Sequence, residues 1–329
     1  MEQVIVAGSG VTGLSVALAL ARRGARVTVW DPAPLGDNAS GVAAGMLAPA
    51  FEAALDPLSA NHFELLKTAR DLWPEFAPVE INREGAVFAS DAHTVEAVAA
   101  RLDQIGAAHR PASEELTPLG GISSAVFTDE DWRLEPVDAL KVLRAEAEAA
   151  GVTFSDATVE GHSGGSLVLA TGAAPGFAPE LGHLTPIKGH ILRLTGGPTE
   201  GPVIRGDSVY ICPSQGGAIV GATMEAGAAD RVVDEGRTKA LRDAAEAVVP
   251  ALAGVTGRAQ AAVRAGTPDG LPLVGWSELP GVILAVGARR NGWLLAPLVA
   301  QIAAAYLAGE DPGPLAAQLD ARRFSRGDR

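Results

Sequence analysis

Cysteine is nearly absent from this chain of 329 residues, in which Cys212 stands alone. A single cysteine excludes an intrachain disulfide, and a reducing, cytoplasmic setting is therefore expected. The six histidines show no metal-ligand spacing, so we predict no metal site. Tyrosine is also scarce, with two residues in the whole chain, and aromatic residues make up 5%.

Positive charge is in deficit as well. The chain has 26 Lys and Arg against 39 Asp and Glu, a net charge of −13. This sign repels phosphate backbones and anionic lipid heads, which disfavours nucleic acid and membranes as partners. One stretch, Gly292 to Gly309, carries no charge over 18 residues, the lower limit for a membrane span. Pro297 and Gln301 within it favour a buried helix of a soluble protein. No basic segment precedes the first strand, so no signal peptide is expected.

The stretch from Val4 to Asp31 organises the rest of the chain. A short apolar run is followed by three glycines spaced as G-x-G-x-x-G, at Gly8, Gly10 and Gly13, then by an Ala-rich helix and a second strand. The glycines allow a tight turn, close approach of a pyrophosphate and close helix–strand packing. Asp31 ends the second strand, where an acid can accept hydrogen bonds from a ribose. This unit predicts a dinucleotide ligand. The choice among NAD, NADP and FAD stays open on this pattern alone, although Asp31 argues against a 2′-phosphate and so makes NADP the least favoured of the three.

Beyond this unit the spacing of apolar residues predicts an α/β protein with two domains. Helices are expected over residues 14–23, 61–73, 94–106, 136–150, 238–249 and 294–307. Short strands should form an antiparallel meander from about residue 187 to 219, and a strand over 261–264 should be followed by a turn over 267–272 and a strand over 282–286. Parallel units open and close the chain, so the nucleotide domain is discontinuous. We assign 1–78, 130–180 and 266–329 to a Rossmann-like domain, and 79–129 and 181–265 to an α+β domain with a largely antiparallel sheet.

Three further stretches carry a resemblance to a family. They are SGVAAGMLAP from Ser40, RAGTPDGLPLVG from Arg264 and GARRNGWLLAP from Gly287, with Leu169-Ala-Thr-Gly172 between the first two. In this order they resemble the D-amino-acid-oxidase superfamily of FAD-dependent oxidoreductases, and within it most of all the glycine oxidases of the ThiO type. The resemblance covers the chain in outline and is weakest from about residue 50 to 125.

The resemblance implies a bound FAD and a small substrate pocket. Its cofactor contacts would be Gly8, Gly10, Val11, Thr12, Gly13, Asp31, Pro32, Ser40, Ala44, Gly45, Met46, Val159, Thr171, Gly172, Arg290, Asn291, Gly292, Trp293 and Leu294. Cys212 does not stand where sarcosine oxidases attach flavin, so FAD is expected to be non-covalent. The start of the last helix, near Gly292, would direct its positive dipole end at the flavin.

The residues matched to substrate binding are Arg264, Tyr210 and Arg290. Arg264 lies in an apolar strand pattern, where an unpaired guanidinium is costly and a carboxylate would offset the cost. An internal salt bridge is the alternative. The resemblance implies that Tyr210 donates to the same carboxylate and that the backbone carbonyl of Arg290 faces the substrate amine. Met46 and Met224 would line the pocket.

Two positions depart from the family's pattern. Ser214 stands where many members have arginine, and Ala288 where many have histidine or another bulky residue. Either change would alter the polarity or size of the pocket.

The function implied is oxidation of glycine, sarcosine or a small D-amino acid by hydride transfer to flavin, giving an imine and then an oxo acid, ammonia and hydrogen peroxide. The imine would serve the thiazole of thiamine. The partners are then a small amine and oxygen, in an expected homo-oligomer. The alternatives are a dehydrogenase that uses another electron acceptor, oxidation of a modified tRNA base, and an FAD-binding module without catalysis.

Overall fold

The structure is a computed structural model that describes residues 3–112, 124–161 and 164–325. Its helices, α1 to α10 in chain order, are Val11–Arg22, Ala39–Val42, Pro49–Leu55, Phe63–Asp71, Trp73–Phe76, Ala92–Ile105, Pro136–Ala149, Glu235–Val248, Gly292–Ala308 and Ala316–Leu319. Its strands, β1 to β17, are Gln3–Ala7, Arg26–Trp30, Met46–Leu47, Ala86–Ser90, Arg110–Pro111, Ser124–Thr128, Trp132–Arg133, Thr153–Ser155, Ser166–Leu169, Thr185–Leu194, Val203–Arg205, Tyr210–Ser214, Gly217–Gly221, Glu225–Ala226, Gly257–Gly266, Leu273–Trp276 and Val282–Val286. Short 3₁₀ turns lie at Pro179–His183 and Pro250–Leu252.

The first sheet has six strands in the order β16-β17-β9-β1-β2-β8. All its pairs are parallel except that of β16 with β17. β1 and β2 are joined through α1, which is buried along most of its length and packs against α7 and α9. The carboxyl ends of β1 and β2 therefore open beside the N-terminus of α1, which is where ligands bind in sheets of this kind.

The second sheet has nine of the described strands, in the order β14-β10-β13-β12-β11-β4-β6-β5, with β15 paired to β10. Its pairs are antiparallel apart from β4 with β11. β10 and β15 pair over ten residues each, from Thr185 opposite Gly266 to Leu194 opposite Gly257. This long pair brings one end of β15 to the edge of the first sheet's domain.

The fold class predicted from the sequence is confirmed, as a Rossmann-like sheet with helices and a largely antiparallel second sheet. The domain boundaries remain a prediction. Some elements were misjudged: β10 is a ten-residue strand rather than part of a run of short ones, and β16 follows the turn at residues 267–272 where no strand was expected. Within the described ranges no helix has both the length and the apolar character needed to cross a membrane.

Candidate active site

Two adjoining cavities lie between the sheets. The larger has a volume of about 620 Å³ and is bordered by the glycine loop after β1, the ends of β2 and β9, and the start of α9. The smaller, of about 300 Å³, is bordered by residues 42–48 and by the second sheet. Ala39, Ala262 and Arg264 border both, so the two cavities meet at Arg264. The first would take a dinucleotide, and the second has room for a small molecule.

The glycine loop is shaped by steric constraints at two positions. Gly8 has a φ of 108°, and a β-carbon on it would overlap the carbonyl oxygen of Ala170. A β-carbon on Gly13 would overlap the carbonyl oxygen of Gly8, so the helix approaches the strand as closely as the backbone allows.

The N-terminus of α1 points at the larger cavity. The first four amides of a helix have no partner within it. Here the Val11 amide donates to Ser40 Oγ at 3.0 Å and the Leu14 amide to the Gly10 carbonyl. Among the described residues the Thr12 amide has no acceptor, so it remains for a phosphate in the cavity that Thr12 borders, and the helix dipole favours negative charge there.

Asp31 borders the same cavity. Its Oδ2 accepts hydrogen bonds from the amide and the hydroxyl of Ser9, both at 2.7 Å, and its Oδ1 accepts from the Ala33 amide at 2.9 Å. A carboxylate has about four acceptor positions, so one is left for a ribose hydroxyl. Ser9, which the sequence reading did not single out, fixes the orientation of this carboxylate.

The other end of the larger cavity lies against the start of α9. Gly292 is the first residue of this helix and borders the cavity, with Asn291 just before it and buried. The Trp293 indole donates to the Ser40 carbonyl at 3.0 Å and ties this end to the loop after β2. The positive end of a 17-residue helix therefore faces the point where the cavities meet.

The residues predicted to contact the cofactor divide between the cavities. Those at the larger one are Gly8, Gly10, Val11, Thr12, Asp31, Pro32, Ser40, Val159, Thr171, Gly172 and Gly292. Those at the smaller one are Ala44, Gly45, Met46, Arg290, Asn291 and Trp293. Gly13 and Leu294 border neither, since Gly13 packs on the glycine loop and Leu294 is buried in the core beneath.

Arg264 is the charged group at the junction. Its Nη2 donates to the Thr223 carbonyl at 2.9 Å, and no carboxylate of the described residues lies within 4 Å of its guanidinium. Burial lowers the pKa of Arg264, an effect that the nearby Tyr210 opposes. The internal salt bridge is thus not formed in the described part of the chain, and a carboxylate ligand would supply the missing charge.

Tyr210 lies on β12 beside Arg264. A β-carbon on its cross-strand neighbour Gly221 would overlap the phenol oxygen, so glycine there makes room for the ring. Burial raises the pKa of Tyr210 to about 12, an effect that Arg264 opposes, and the hydroxyl therefore stays a donor at neutral pH. Met46 and Met224 border the same cavity. The structure brings together all five predicted substrate-pocket residues, including Arg290.

The side chain of Arg290 is engaged by a buried acid. Its Nε lies 3.0 Å from Glu52 Oε2, and Glu52 is the main reason that the pKa of Arg290 is raised. Glu52 Oε1 also accepts from both Nη atoms of Arg205 at 3.2 Å. The neighbouring Arg289, whose φ is 50°, pairs instead with Asp56. Arg290 is therefore not the free cation of this site.

Of the two residues that depart from the family pattern and the single cysteine, only Ala288 borders a cavity. Ser214 lies at the far end of β12, where its hydroxyl donates to Glu135 Oε2 at 3.0 Å, and it borders neither cavity. Ala288 borders the larger cavity and leaves space there. Cys212 borders neither cavity, and burial raises the pKa of its thiol to about 12. Non-covalent binding of FAD remains a prediction that this position agrees with.

Four residues of the smaller cavity or its rim were missed. Glu52 and Arg205 are each about 4% exposed, and Gly189 and Thr223 surround the Arg264 guanidinium. A signal did exist for the first two, since each is a charge within an apolar run, PAFEAAL and PVIRG. Nothing in the local sequence marks Gly189 or Thr223.

A cavity with room for a dinucleotide adjoins a small pocket that contains the Arg264 guanidinium, an arrangement typical of enzymes that act on small molecules with a nucleotide cofactor. The family model for FAD dependent oxidoreductases, abbreviated DAO, matches residues 3–306. The chain belongs to this family, and it is an FAD-dependent oxidoreductase.

The chain is similar to curated proteins of more than one kind. The chain is 31% identical over 326 residues to the tRNA 5-methylaminomethyl-2-thiouridine biosynthesis bifunctional protein MnmC of Maricaulis maris, covering 94% of this chain and 52% of that protein. It is also 31% identical over 337 residues to the putative thiamine biosynthesis oxidoreductase ThiO of Rhizobium etli, covering 95% and 98%. The chain thus spans about half the length of the bifunctional relatives.

Among solved structures, the glycine oxidase of Geobacillus kaustophilus superposes with a TM-score of 0.83 at 23% identity, covering 98% of this chain and 99% of that one. This likeness shows a shared fold.

The residues at the larger cavity fit FAD. The N-terminus of α1, the remaining acceptor position of Asp31 and the N-terminus of α9 offer groups for the diphosphate, the adenosine ribose and the flavin, respectively.

Proposed function

We propose that this protein oxidises glycine or another small amine, such as sarcosine or a small D-amino acid, to the imine. The observation that carries the proposal is the Arg264 guanidinium, which lies at the junction of the cavities with a backbone carbonyl as its hydrogen-bond partner and Tyr210 beside it. Such a fork binds a carboxylate through two hydrogen bonds and fixes its orientation.

FAD held in the larger cavity would supply the redox chemistry, which is acceptance of a hydride equivalent from the substrate and transfer of both electrons to oxygen as hydrogen peroxide. Arg264 and the Tyr210 hydroxyl hold the substrate carboxylate. This orients the α-carbon toward the larger cavity, which Arg264 also borders. Water then hydrolyses the released imine to an oxo acid and ammonia.

The size and composition of the smaller cavity favour a small substrate. About 300 Å³ is near the lower end of ligand pockets, and Met46, Met224, Leu55 and Ile191 form apolar walls. The pairing of Glu52 with Arg205 and Arg290 leaves Arg264 as the cation available to one substrate carboxylate. The likeness to the putative thiamine biosynthesis oxidoreductase ThiO of Rhizobium etli supports this substrate class, and the imine would feed thiazole formation.

The test is an anaerobic titration of the yellow protein with glycine, sarcosine, D-alanine and D-proline in turn, followed by a peroxide assay in air. We expect bleaching by at least one of the four, with peroxide formed in proportion to amine consumed. Arg264→Ala should lower kcat/KM by about 100-fold, the order expected from two charge-assisted hydrogen bonds, and Arg264→Lys by less. Bleaching by none of the four would overturn the proposal. Bleaching without peroxide in air would identify a dehydrogenase with another electron acceptor.

A second candidate is oxidation of an amine on a modified tRNA base. It is favoured by two MnmC relatives that are 31% and 30% identical to this chain. The net charge of −13 opposes it. An assay of tRNA binding at low and physiological salt, with turnover of the tRNA-borne amine, separates it from the first proposal.

A further inference from the structure

The protein group that holds the Arg264 guanidinium is the backbone carbonyl of Thr223, at 2.9 Å from Nη2. Thr223 lies between β13 and β14, in a segment without regular structure. A carbonyl in such a segment orients a guanidinium only if something else fixes the segment.

The Thr223 side chain is fixed by three polar contacts. Its Oγ1 accepts from the His190 amide at 2.8 Å, donates to Glu225 Oε1 at 3.2 Å and lies 3.0 Å from His190 Nδ1. The Thr223 amide donates in turn to the His190 carbonyl at 3.3 Å. Thr223 is therefore bound to β10 by both its backbone and its side chain.

His190 is fully buried, and its ring is held from both sides. Its Nε2 accepts from the Asp234 amide at 3.0 Å, so the proton of the neutral ring lies on Nδ1. That Nδ1 is 3.0 Å from both Thr223 Oγ1 and Glu225 Oε1, so its proton is shared between the two oxygens. The chain of contacts runs from Asp234 through His190 and Thr223 to Arg264, which opens onto both cavities.

We propose that Thr223 and His190 are positioning residues for the substrate carboxylate, acting through the direction in which they hold the Arg264 guanidinium. This rests on the proposed function, since it assigns Arg264 to that carboxylate. A long arginine side chain loses rotamer freedom when it binds a ligand, and a guanidinium already held in place loses less. Loosening this support therefore weakens binding of the carboxylate and leaves the transfer of the hydride little changed.

The experiment compares Thr223→Val with Thr223→Ser in the FAD-loaded protein. The readouts are kcat and KM for glycine, or for whichever of the four amines is turned over, and the inhibition constant of glycolate, which carries a carboxylate but no amine. Thr223→Val should raise KM and the glycolate constant together by about tenfold, the order of one hydrogen bond to a charged group, with kcat within about threefold. Thr223→Ser keeps the hydroxyl and should restore both. Thr195→Val is the matched control, because Thr195 is exposed and its hydroxyl bonds to Thr256 away from the cavities.

A second pair of variants, compared at equal FAD content, distinguishes a loss of positioning from a loss of folding. His190→Asn keeps a donor near the position of Nδ1, and His190→Leu removes it, so the asparagine variant should bind glycolate more tightly than the leucine variant at equal FAD content. If Thr223→Val leaves KM and the glycolate constant within twofold of wild type while Arg264→Ala abolishes glycolate binding, the positioning role is refuted and the proposed function stands. If Arg264→Ala changes neither KM nor the glycolate inhibition constant, both the positioning role and the proposed function are refuted.

Discussion

Gly189 limits the space around the Arg264 side chain. A β-carbon on Gly189 would overlap Arg264 Nη2 and lie 3.0 Å from the Thr223 carbonyl oxygen. Gly189→Ala should therefore displace the guanidinium and raise KM for the amine substrate by about tenfold, with a smaller change in kcat. Steady-state kinetics would measure both.

Gly216→Ala is the control for that variant, because no heavy atom lies within 4 Å of the β-carbon it would add. Both changes introduce the same methyl group into the second sheet's region. Equal kinetics for the two variants would mean that Arg264 moves aside freely and that its observed position is not required.

Individual site residues could be predicted from the sequence where their residue type is unusual for its surroundings. An arginine in the apolar run AAVRAG and one of two tyrosines were both singled out, and both border the smaller cavity. Gly189 and Thr223 could not be predicted, because their roles depend on which strand lies beside Arg264. That neighbour is set by the pairing of β10 with β15, a contact between segments about 70 residues apart.

Among the elements, α3 depends on a carboxylate from a distant segment. Asp131 precedes β7 and is buried, and it accepts hydrogen bonds from the Ala50 and Phe51 amides in the first turn of α3, at 2.8 and 3.2 Å. Glu52 is the next residue of this helix and reaches the smaller cavity. Burial raises the pKa of Asp131 to about 6, an effect that Arg205 and the two amides oppose.

This raised pKa has a consequence for stability. Between about pH 4 and pH 6 the folded protein holds a proton on Asp131 that the unfolded chain has released, so the free energy of unfolding falls as pH rises through that window. Relative to Asp131→Asn, which does not titrate, the wild type should lose about 2–3 kcal/mol from pH 4 to pH 7. Denaturant unfolding of both proteins at several pH values measures this difference. A difference that is constant with pH would contradict the assigned environment.

Element boundaries show what local patterns miss. α1 begins at Val11, a turn before the predicted Leu14, because the helix starts directly at the glycine loop. β15 is ten residues long where four were expected, since pairing with β10 carries its exposed, charged end into the sheet. Local propensity gives the type of an element more readily than its ends, which tertiary pairing decides.

For the whole molecule, the larger cavity exists only in the folded chain. Its walls come from segments near residues 7–12, 30–40, 157–159, 170–175, 229–231, 262–265 and 285–299, which only folding brings together. FAD therefore binds the folded state and not the unfolded chain, so it raises the free energy of unfolding by RT ln(1 + [FAD]/Kd), about 2.7 kcal/mol at 100 times Kd.

The variant Asp31→Ala tests whether the Asp31 carboxylate binds FAD directly, because FAD binding raises the melting temperature. Removal of FAD should lower Tm by roughly 4 °C, the shift that such a free energy gives in a chain of 329 residues. Asp31→Ala also loses the contacts to Ser9, so its apoprotein should melt lower as well. The informative quantity is the rise in Tm on adding FAD. That rise should be smaller in Asp31→Ala than in wild type at equal FAD concentration, and unchanged in Asp138→Ala, whose carboxylate is exposed on α7. An equal rise in all three proteins would show that Asp31 orders the loop through Ser9 without binding the ribose.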